Sequence, residues 1–258
     1  MNKKILKYAL FGGFILLTLT TCKNESTDTS SERISLQTKL QNQDDLEEIR
    51  KLIERFRTSD YKESEAIQEE IVRLTFKSPE LREAVIIELT HCFSVQNRRN
   101  PDEYRLWTGV ALTLGKLRAE EAIEILANCI DCNNGLFSFH LETFPSAYAL
   151  FEIGKPAIPK LIEVIKTEPV KGRPNRLLAV LVLFRIGGKD VKGFFKRQLK
   201  DEKDKQIARA IKLGLDKMRT ESDPNGKIPS RLDFSQFIRN DSRCSQMIGR
   251  RVADCRIL

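Results

Sequence analysis

The chain has 258 residues, with 44 lysines and arginines against 36 aspartates and glutamates, and a formal net charge of +8. This length allows one or two domains. The net charge is too small to place the chain in a strongly acidic or strongly basic class of proteins, so the distribution of charge along the chain is more informative than its total.

The N-terminal residues have the layout of a secretory signal peptide. Lys3, Lys4 and Lys7 precede an apolar stretch at residues 8–19. That stretch is shorter than the roughly 18 residues of a helix that crosses a bilayer. Residues 1–21 are therefore predicted to be removed rather than retained as a membrane span.

Residues 19–22 (Leu-Thr-Thr-Cys) resemble the bacterial lipobox, in which a small residue precedes a cysteine that is acylated and becomes the new N-terminus. The resemblance implies that Cys22 carries lipid, palmitate included, and anchors the protein in the cell envelope. With Lys23 rather than Asp after the cysteine, it implies the outer membrane, facing periplasm or cell surface, in a host with two membranes. Thr21 departs from the usual Gly, Ala or Ser, and an ordinary signal peptide is the alternative interpretation.

Residues 22–43 are rich in Ser, Thr, Asn and Gln and poor in apolar side chains, which predicts a flexible tether. From residue 44, apolar residues recur at spacings of three and four, as in amphipathic helices. These stripes comprise Leu46, Ile49, Leu52, Ile53 and Phe56, then Ala66, Ile67, Ile71 and Leu74, then Leu81, Val85 and Leu89, then Leu106, Trp107, Val110 and Leu114.

Helix starts are marked by capping residues. Ser59 or Asp60 is expected to cap the second stripe, and Pro79 suits the first position of the third. Asn100 with Glu103 predicts a capping box before the fourth stripe. No stretch sustains the alternation that a half-buried strand needs, so the sequence predicts an all-α fold.

A repeat unit recurs around Gly115, Gly154 and Gly187, where similar apolar segments end in glycine. Each glycine is expected to end a helix in the left-handed conformation. A second helix follows each glycine, and its apolar residues are expected to face back onto the preceding helix. These residues are Ala122, Ile123 and Leu126, then Leu161, Ile162 and Ile165, then Phe194, Phe195 and Leu199.

Residues 146–166 (SAYALFEIGKPAIPKLIEVIK) closely resemble a HEAT-like repeat of the type first grouped with the phycobiliprotein lyases. The resemblance is weaker at 101–130 and 173–218 and faint at 44–92. It implies an α-solenoid, an ARM-type superhelix of stacked helical hairpins, over residues 44–220. Residues 221–258 are then a C-terminal tail or cap.

The loop at residues 131–145 is longer than a turn between repeats requires, and it carries Phe137, Phe139, His140 and Phe144. These side chains either form a binding lip or pack into the groove between repeats as core.

The cysteines favour structural roles. Cys129 and Cys132 lie at the C-terminal end of the predicted helix 119–130, where the negative end of the helix dipole disfavours a reactive thiolate. With His140 they lack a fourth metal ligand, so a structural disulfide involving one of them is the favoured interpretation. Cys244 and Cys255 in the tail are candidates for a second disulfide.

Charge divides the chain, because residues 44–91 hold 13 acidic and 8 basic residues, whereas residues 173–219 hold 5 acidic and 14 basic. The basic part presents either a contact surface for an anionic partner or an ordinary solvated surface. Candidate contact residues are Arg173, Arg176, Lys189, Lys192, Lys196 and Arg209, together with Phe137 and Phe139 of the long loop.

No nucleophile signature, phosphate-binding loop or calcium loop occurs, so we predict no catalytic residues, no metal and no cofactor. The predicted function is a lipid-anchored, non-enzymatic scaffold that binds another envelope protein. The alternatives are a chromophore-lyase-like enzyme, which the resemblance implies, and a binder of an anionic polymer or nucleic acid. The predicted export argues against the enzyme and against nucleic acid.

Overall fold

The computed structural model describes residues 29–95, 100–132, 141–166 and 173–220. The chain divides into two compact units, residues 1–39 and residues 40–258. The described ranges contain ten α-helices and three short 3-10 helices, and no strand. The prediction of an all-α fold is confirmed.

The helices follow one another along the chain, and the longest connection between described helices is the one from α5 to α6. The α-helices are α1 (Thr29–Arg55), α2 (Tyr61–Thr75), α3 (Pro79–Val95), α4 (Pro101–Lys116), α5 (Ile123–Asn128), α6 (Pro145–Ile153), α7 (Ile158–Lys166), α8 (Arg173–Ile186), α9 (Lys189–Asp201) and α10 (Lys205–Thr220). The 3-10 helices are Glu120–Ala122, Leu141–Thr143 and Lys155–Ala157.

Helix α1 begins within the segment predicted to be a flexible tether. Residues 29–43 are helical, whereas their polar composition predicted an unstructured chain. Residues 29–55 contain no glycine or proline and are rich in Leu, Gln, Lys and Glu, which have high helix propensity. A polar composition predicts the lack of a core, but it does not exclude a helix.

The predicted apolar stripes form the core of the second unit. Ile49, Phe56, Ile71, Leu89 and Trp107 are among the side chains with almost no exposed surface. Ala66 is the exception in the second stripe, because it lies on the exposed side of α2.

The capping predictions are confirmed in part. The Asp60 carboxylate accepts a hydrogen bond from Glu63 N at 2.8 Å and caps α2. Asn100 caps α4 by accepting from Asp102 N at 2.9 Å, with Pro101 in the first turn. The predicted capping box is wrong, however, because the Glu103 carboxylate pairs with Arg57 instead of turning back to the cap.

Packing in the second unit is built on the even-numbered helices. The even-numbered helices from α2 to α10 each pack on the next even-numbered helix, and they form one continuous row. The odd-numbered helices cover it: α3 packs on α2 and α4, α5 on α6, α7 on α8, and α9 on α10. Each of α4, α6 and α8 thus packs on the even-numbered helices before and after it and on at least one odd-numbered helix.

The three repeat glycines do not have the same role. Gly154 and Gly187 have φ values of 80° and 70°, in the region that favours glycine, and they end α6 and α8 as predicted. Gly115 lies inside α4, where the prediction is wrong. A Cβ built on Gly115 would approach Ala149 Cα of α6 to 2.8 Å, so this glycine permits close packing of the two helices. The positive φ after α4 falls on Arg118.

Candidate interaction surface

Four lysines lie along one side of α9. Lys189, Lys192, Lys196 and Lys200 recur at spacings of three and four, which places them on one stripe of the helix. The opposite side carries Val191, Phe194 and Phe195, which are buried. We call the four lysines the lysine face.

The orientation of α9 is fixed by aromatic packing. The Phe195 ring stacks on Phe184 of α8, with ring centroids 4.2 Å apart and planes 12° from parallel. Because this side is turned into the core, the lysine face is turned to solvent. Lys189, Lys196 and Lys200 are exposed, and Lys192 is half-buried.

No carboxylate of the described chain forms an ion pair with any lysine of this face. The two acidic residues of α9, Asp190 and Asp201, lie about 120° around the helix axis from the centre of the face. The positive charges of the lysine face are therefore adjacent to one another and are not neutralised within the described chain.

In the acidic segment, residues 44–91, most basic side chains do form ion pairs. Arg50 pairs with Glu88 at 3.3 Å, and Arg55 with Glu63 at 2.7 Å, so its basic side chains are largely used within the fold. Further ion pairs made by basic residues of this segment join Arg57 to Glu54 and Glu103, Arg73 to Glu70, Lys77 to Asp45, and Arg82 to Glu121.

Gly193 lies at the edge of the lysine face, between Lys189 and Lys196 on one side and Asp190 and Arg197 on the other. A Cβ built there would meet only the Arg197 guanidinium of the same helix, at 3.6 Å. By contrast, a Cβ at Gly109 would collide with the Phe56 ring, and one at Gly214 with the Phe184 ring. A glycine in a helix interior costs about 1 kcal/mol relative to alanine. Close packing between helices explains Gly109 and Gly214, but no such packing explains Gly193.

Arg176 must be removed from the predicted contact residues. Its side chain is 7% exposed, and it donates to Ile165 O at 2.7 Å and to the Glu202 carboxylate at 2.6 Å. Its partner lies 26 residues away, so the sequence pattern could not show that this arginine faces inward.

The remaining predicted contact residues divide into two groups. Lys189, Lys192 and Lys196 belong to the lysine face, and Arg209 is exposed on α10. The sequence interpretation missed Lys200 and Gly193, although their helical spacing from Lys196 and Lys189 was a readable signal. The side chain of Arg173 and the whole of Cys22, Phe137, Phe139, His140, Cys244 and Cys255 lie outside the described residues.

The long loop is described only at its ends. Phe144, just before α6, is 3% exposed, so this aromatic residue packs as core rather than as part of a binding lip.

Cys129 and Cys132 form a disulfide with each other, with a Cα–Cα distance of 5.3 Å. Cys129 is the residue after α5, which agrees with the predicted position at a helix C-terminus. Between them, Asp131 accepts a hydrogen bond from the Asn175 amide of α8 at 2.6 Å when the amide nitrogen faces the carboxylate. The hydrogen bond between Asn175 and Asp131 thus links the segment just after α5 to α8.

Cys92 of α3 is half-buried and is not part of a disulfide. Burial raises the pKa of its thiol, with a further contribution from the carboxylates of Glu88 and Glu54. A thiol in this environment is a poor nucleophile at neutral pH.

No group of three or more His, Cys, Asp or Glu side chains in the described ranges is arranged to hold a metal ion. Among these same residues, every helix is too short or too polar to traverse a bilayer.

Comparison of the chain with models of known protein families, with curated proteins and with solved structures gives no match.

Proposed function

We propose that this protein is a non-enzymatic scaffold of the cell envelope that binds an acidic partner protein through the lysine face of α9. The observation that carries the proposal is the set of four adjacent lysines without carboxylate partners among the described residues. Clustered positive charge raises the local concentration of an anionic partner and directs its approach. Signal-peptide removal, acylation of Cys22 and the HEAT-like nature of the repeats belong to the same proposal.

A stack of packed helices suits this role because it holds a surface helix in a fixed orientation. Phe194 and Phe195 are buried against the rest of the stack, so α9 is held in place while its lysines face outward. Side chains fixed on a rigid element lose less freedom when they bind than those on a mobile loop.

The test is crosslinking of the full-length lipidated protein in its own envelope, followed by identification of the crosslinked partner. In one variant Lys189, Lys192, Lys196 and Lys200 are changed to Glu. A matched control changes four exposed lysines elsewhere, Lys51, Lys62, Lys116 and Lys155, to Glu. Both variants carry the same change in net charge.

We expect one specific partner to be lost from the lysine-face variant and kept by the control. Loss of the partner from both variants would show that binding depends on net charge alone. Retention of the partner by both variants would contradict the proposal. A Cys22→Ala form in the same experiment is expected to lose palmitate labelling, because it lacks the thiol that is acylated. It is also expected to leave the membrane fraction, because each buried CH₂ of an acyl chain contributes about 0.8 kcal/mol to anchoring.

The lysine face also favours a second candidate, an anionic polymer of the envelope. Binding to such a polymer releases counterions, so the logarithm of its affinity falls linearly with the logarithm of salt concentration. A salt titration of the recovered complex separates the two candidates, because a protein interface with packed apolar contacts depends less steeply on salt.

A further inference from the structure

Gly193 gives the lysine face a second property besides its charge. At one edge of the face, at Gly193, α9 has no side chain, and the space where a Cβ would stand is open except for the Arg197 guanidinium. Lys189 and Lys196, four and three residues away along the helix, lie beside this point, so a close approach to the helix backbone is possible next to these charges.

Resting on the proposed function, we infer that the lysine face binds an acidic α-helix of the partner protein, and that this helix crosses α9 at Gly193. The distance between two packed helices depends on the side chains at their crossing point. A small residue there lets the two backbones approach closely. Gly193 is the residue of the lysine face that supplies this property.

An anionic polymer or a lipid headgroup would not use this glycine. Each lysine ammonium stands at the end of a flexible four-carbon stem, so phosphates reach the charge without approaching the helix backbone. A Cβ at position 193 would therefore leave phosphate binding unchanged. A partner that packs its own side chains against α9 is sensitive to that Cβ, and this difference favours a protein over a polyanion.

The spacing of the lysines also fits a helical partner. The face runs from residue 189 to residue 200, which corresponds to about 16 Å along the helix axis. Carboxylates that recur at three and four residues on another helix have the same rise and form a similar stripe. About three turns of an acidic helix can therefore face the four lysines, with the close contact at Gly193 along one edge of the charged stripe.

The inference is tested with a synthetic alanine-based helical peptide whose glutamates have the spacing of the four lysines. Its binding to the full chain is measured by fluorescence anisotropy. A peptide of the same composition, scrambled and interrupted by prolines, controls for charge alone, and inorganic polyphosphate stands for the polyanion. The protein variants are Gly193→Leu, the lysine-face variant, and Ala66→Leu at an exposed position of α2 as the matched control for added bulk.

We expect Gly193→Leu to weaken binding of the helical peptide by about tenfold or more, because the added side chain obstructs the crossing. Ala66→Leu should leave affinity within about twofold, as surface substitutions away from a site usually do. Leucine has a higher helix propensity than glycine, so Gly193→Leu should keep its helical circular dichroism and should not lower the thermal midpoint. The scrambled peptide should bind weakly to every form.

Two results would overturn the inference. If charge reversal abolishes peptide binding while Gly193→Leu binds as the unchanged protein does, the close crossing is wrong, although the proposed scaffold function stands on its crosslinked partner. If polyphosphate binds and the helical peptide does not, the ligand is a polyanion. Failure of the proposed function would show separately, as retention of the crosslinked partner by the lysine-face variant.

Discussion

Arg176 and Glu202 form a buried ion pair that joins three parts of the stack. Glu202 is only 3% exposed, and it also accepts hydrogen bonds from the Gln198 amide and from Asp204 N, both at 2.9 Å. The arginine in turn donates to Ile165 O at the end of α7. The pair therefore connects the end of α7, the start of α8 and the turn between α9 and α10.

Replacing Arg176 by Met is expected to lower the free energy of unfolding by about 3–5 kcal/mol. Removal of one partner leaves the other charge buried without compensation, and this costs more than the pair itself contributes. Urea denaturation followed by circular dichroism measures the change.

The double variant Arg176→Met with Glu202→Gln separates charge from packing. Glutamine keeps an oxygen for Asp204 N but removes the buried negative charge, so the double variant should recover part of the lost stability. If it is no more stable than Arg176→Met alone, the cost lies in lost packing and not in an uncompensated charge on Glu202.

Helix packing depends on glycines where two helices come close. The Phe56 ring, just after α1, lies where a Cβ of Gly109 would stand, and the Phe184 ring of α8 occupies the corresponding space at Gly214 of α10. Gly193 of α9 is open by comparison. A Gly→Ala substitution therefore has opposite consequences at different positions.

Gly109→Ala is expected to destabilise the protein by about 1–3 kcal/mol, because the added methyl group displaces the buried Phe56 ring. Gly193→Ala is expected to stabilise it by up to about 1 kcal/mol, through the higher helix propensity of alanine. Thermal melts of the two variants check both signs, and a destabilising Gly193→Ala would show that the site is tighter than its geometry indicates.

At the scale of elements, periodicity predicts most of the structure. The stripe from Leu46 to Phe56 and the cap at Asp60 lie where local spacing and side-chain chemistry place them. Gly115 could not be predicted, because a glycine that turns the chain and a glycine that admits a neighbouring helix look alike in sequence. The difference depends on Ala149, which is 34 positions away along the chain.

At the scale of the whole molecule, burial among the described residues is greatest in the middle of the row of even-numbered helices. Helices α4, α6 and α8 each pack on two even-numbered helices, whereas α2 and α10, at the ends of the row, each pack on one. For the proposed stack of repeats, stability would be approximately a sum over neighbouring interfaces, so the ends of the row are expected to open more easily than its middle.

Amide hydrogen exchange is therefore expected to be slowest in α4, α6 and α8 and faster in α2 and α10. Mass spectrometry of peptic fragments resolves these segments. Equal protection across all five helices would show instead that the described stack unfolds as one cooperative unit.

The candidate surface was predictable in its charge but not in its limits. Composition identifies the basic segment 173–219, and helical spacing then selects Lys189, Lys192 and Lys196. That Arg176 turns inward depends on a carboxylate in another element, and that Gly193 is open depends on how the other described helices pack around α9. Both are tertiary properties that no local pattern records.

The row of even-numbered helices also bears on mechanical load. Each inner helix of this row packs on the even-numbered helix before it and on the one after it, so a pull along the stack would strain its interfaces one after another. If neighbouring interfaces carry the stability, as in the proposed repeats, such a chain is expected to extend in several small steps and not to hold until one large rupture. A protein held by lipid at Cys22 and by a partner at α9, as proposed, would then extend under load. The membrane and the partner could move apart without breaking either attachment.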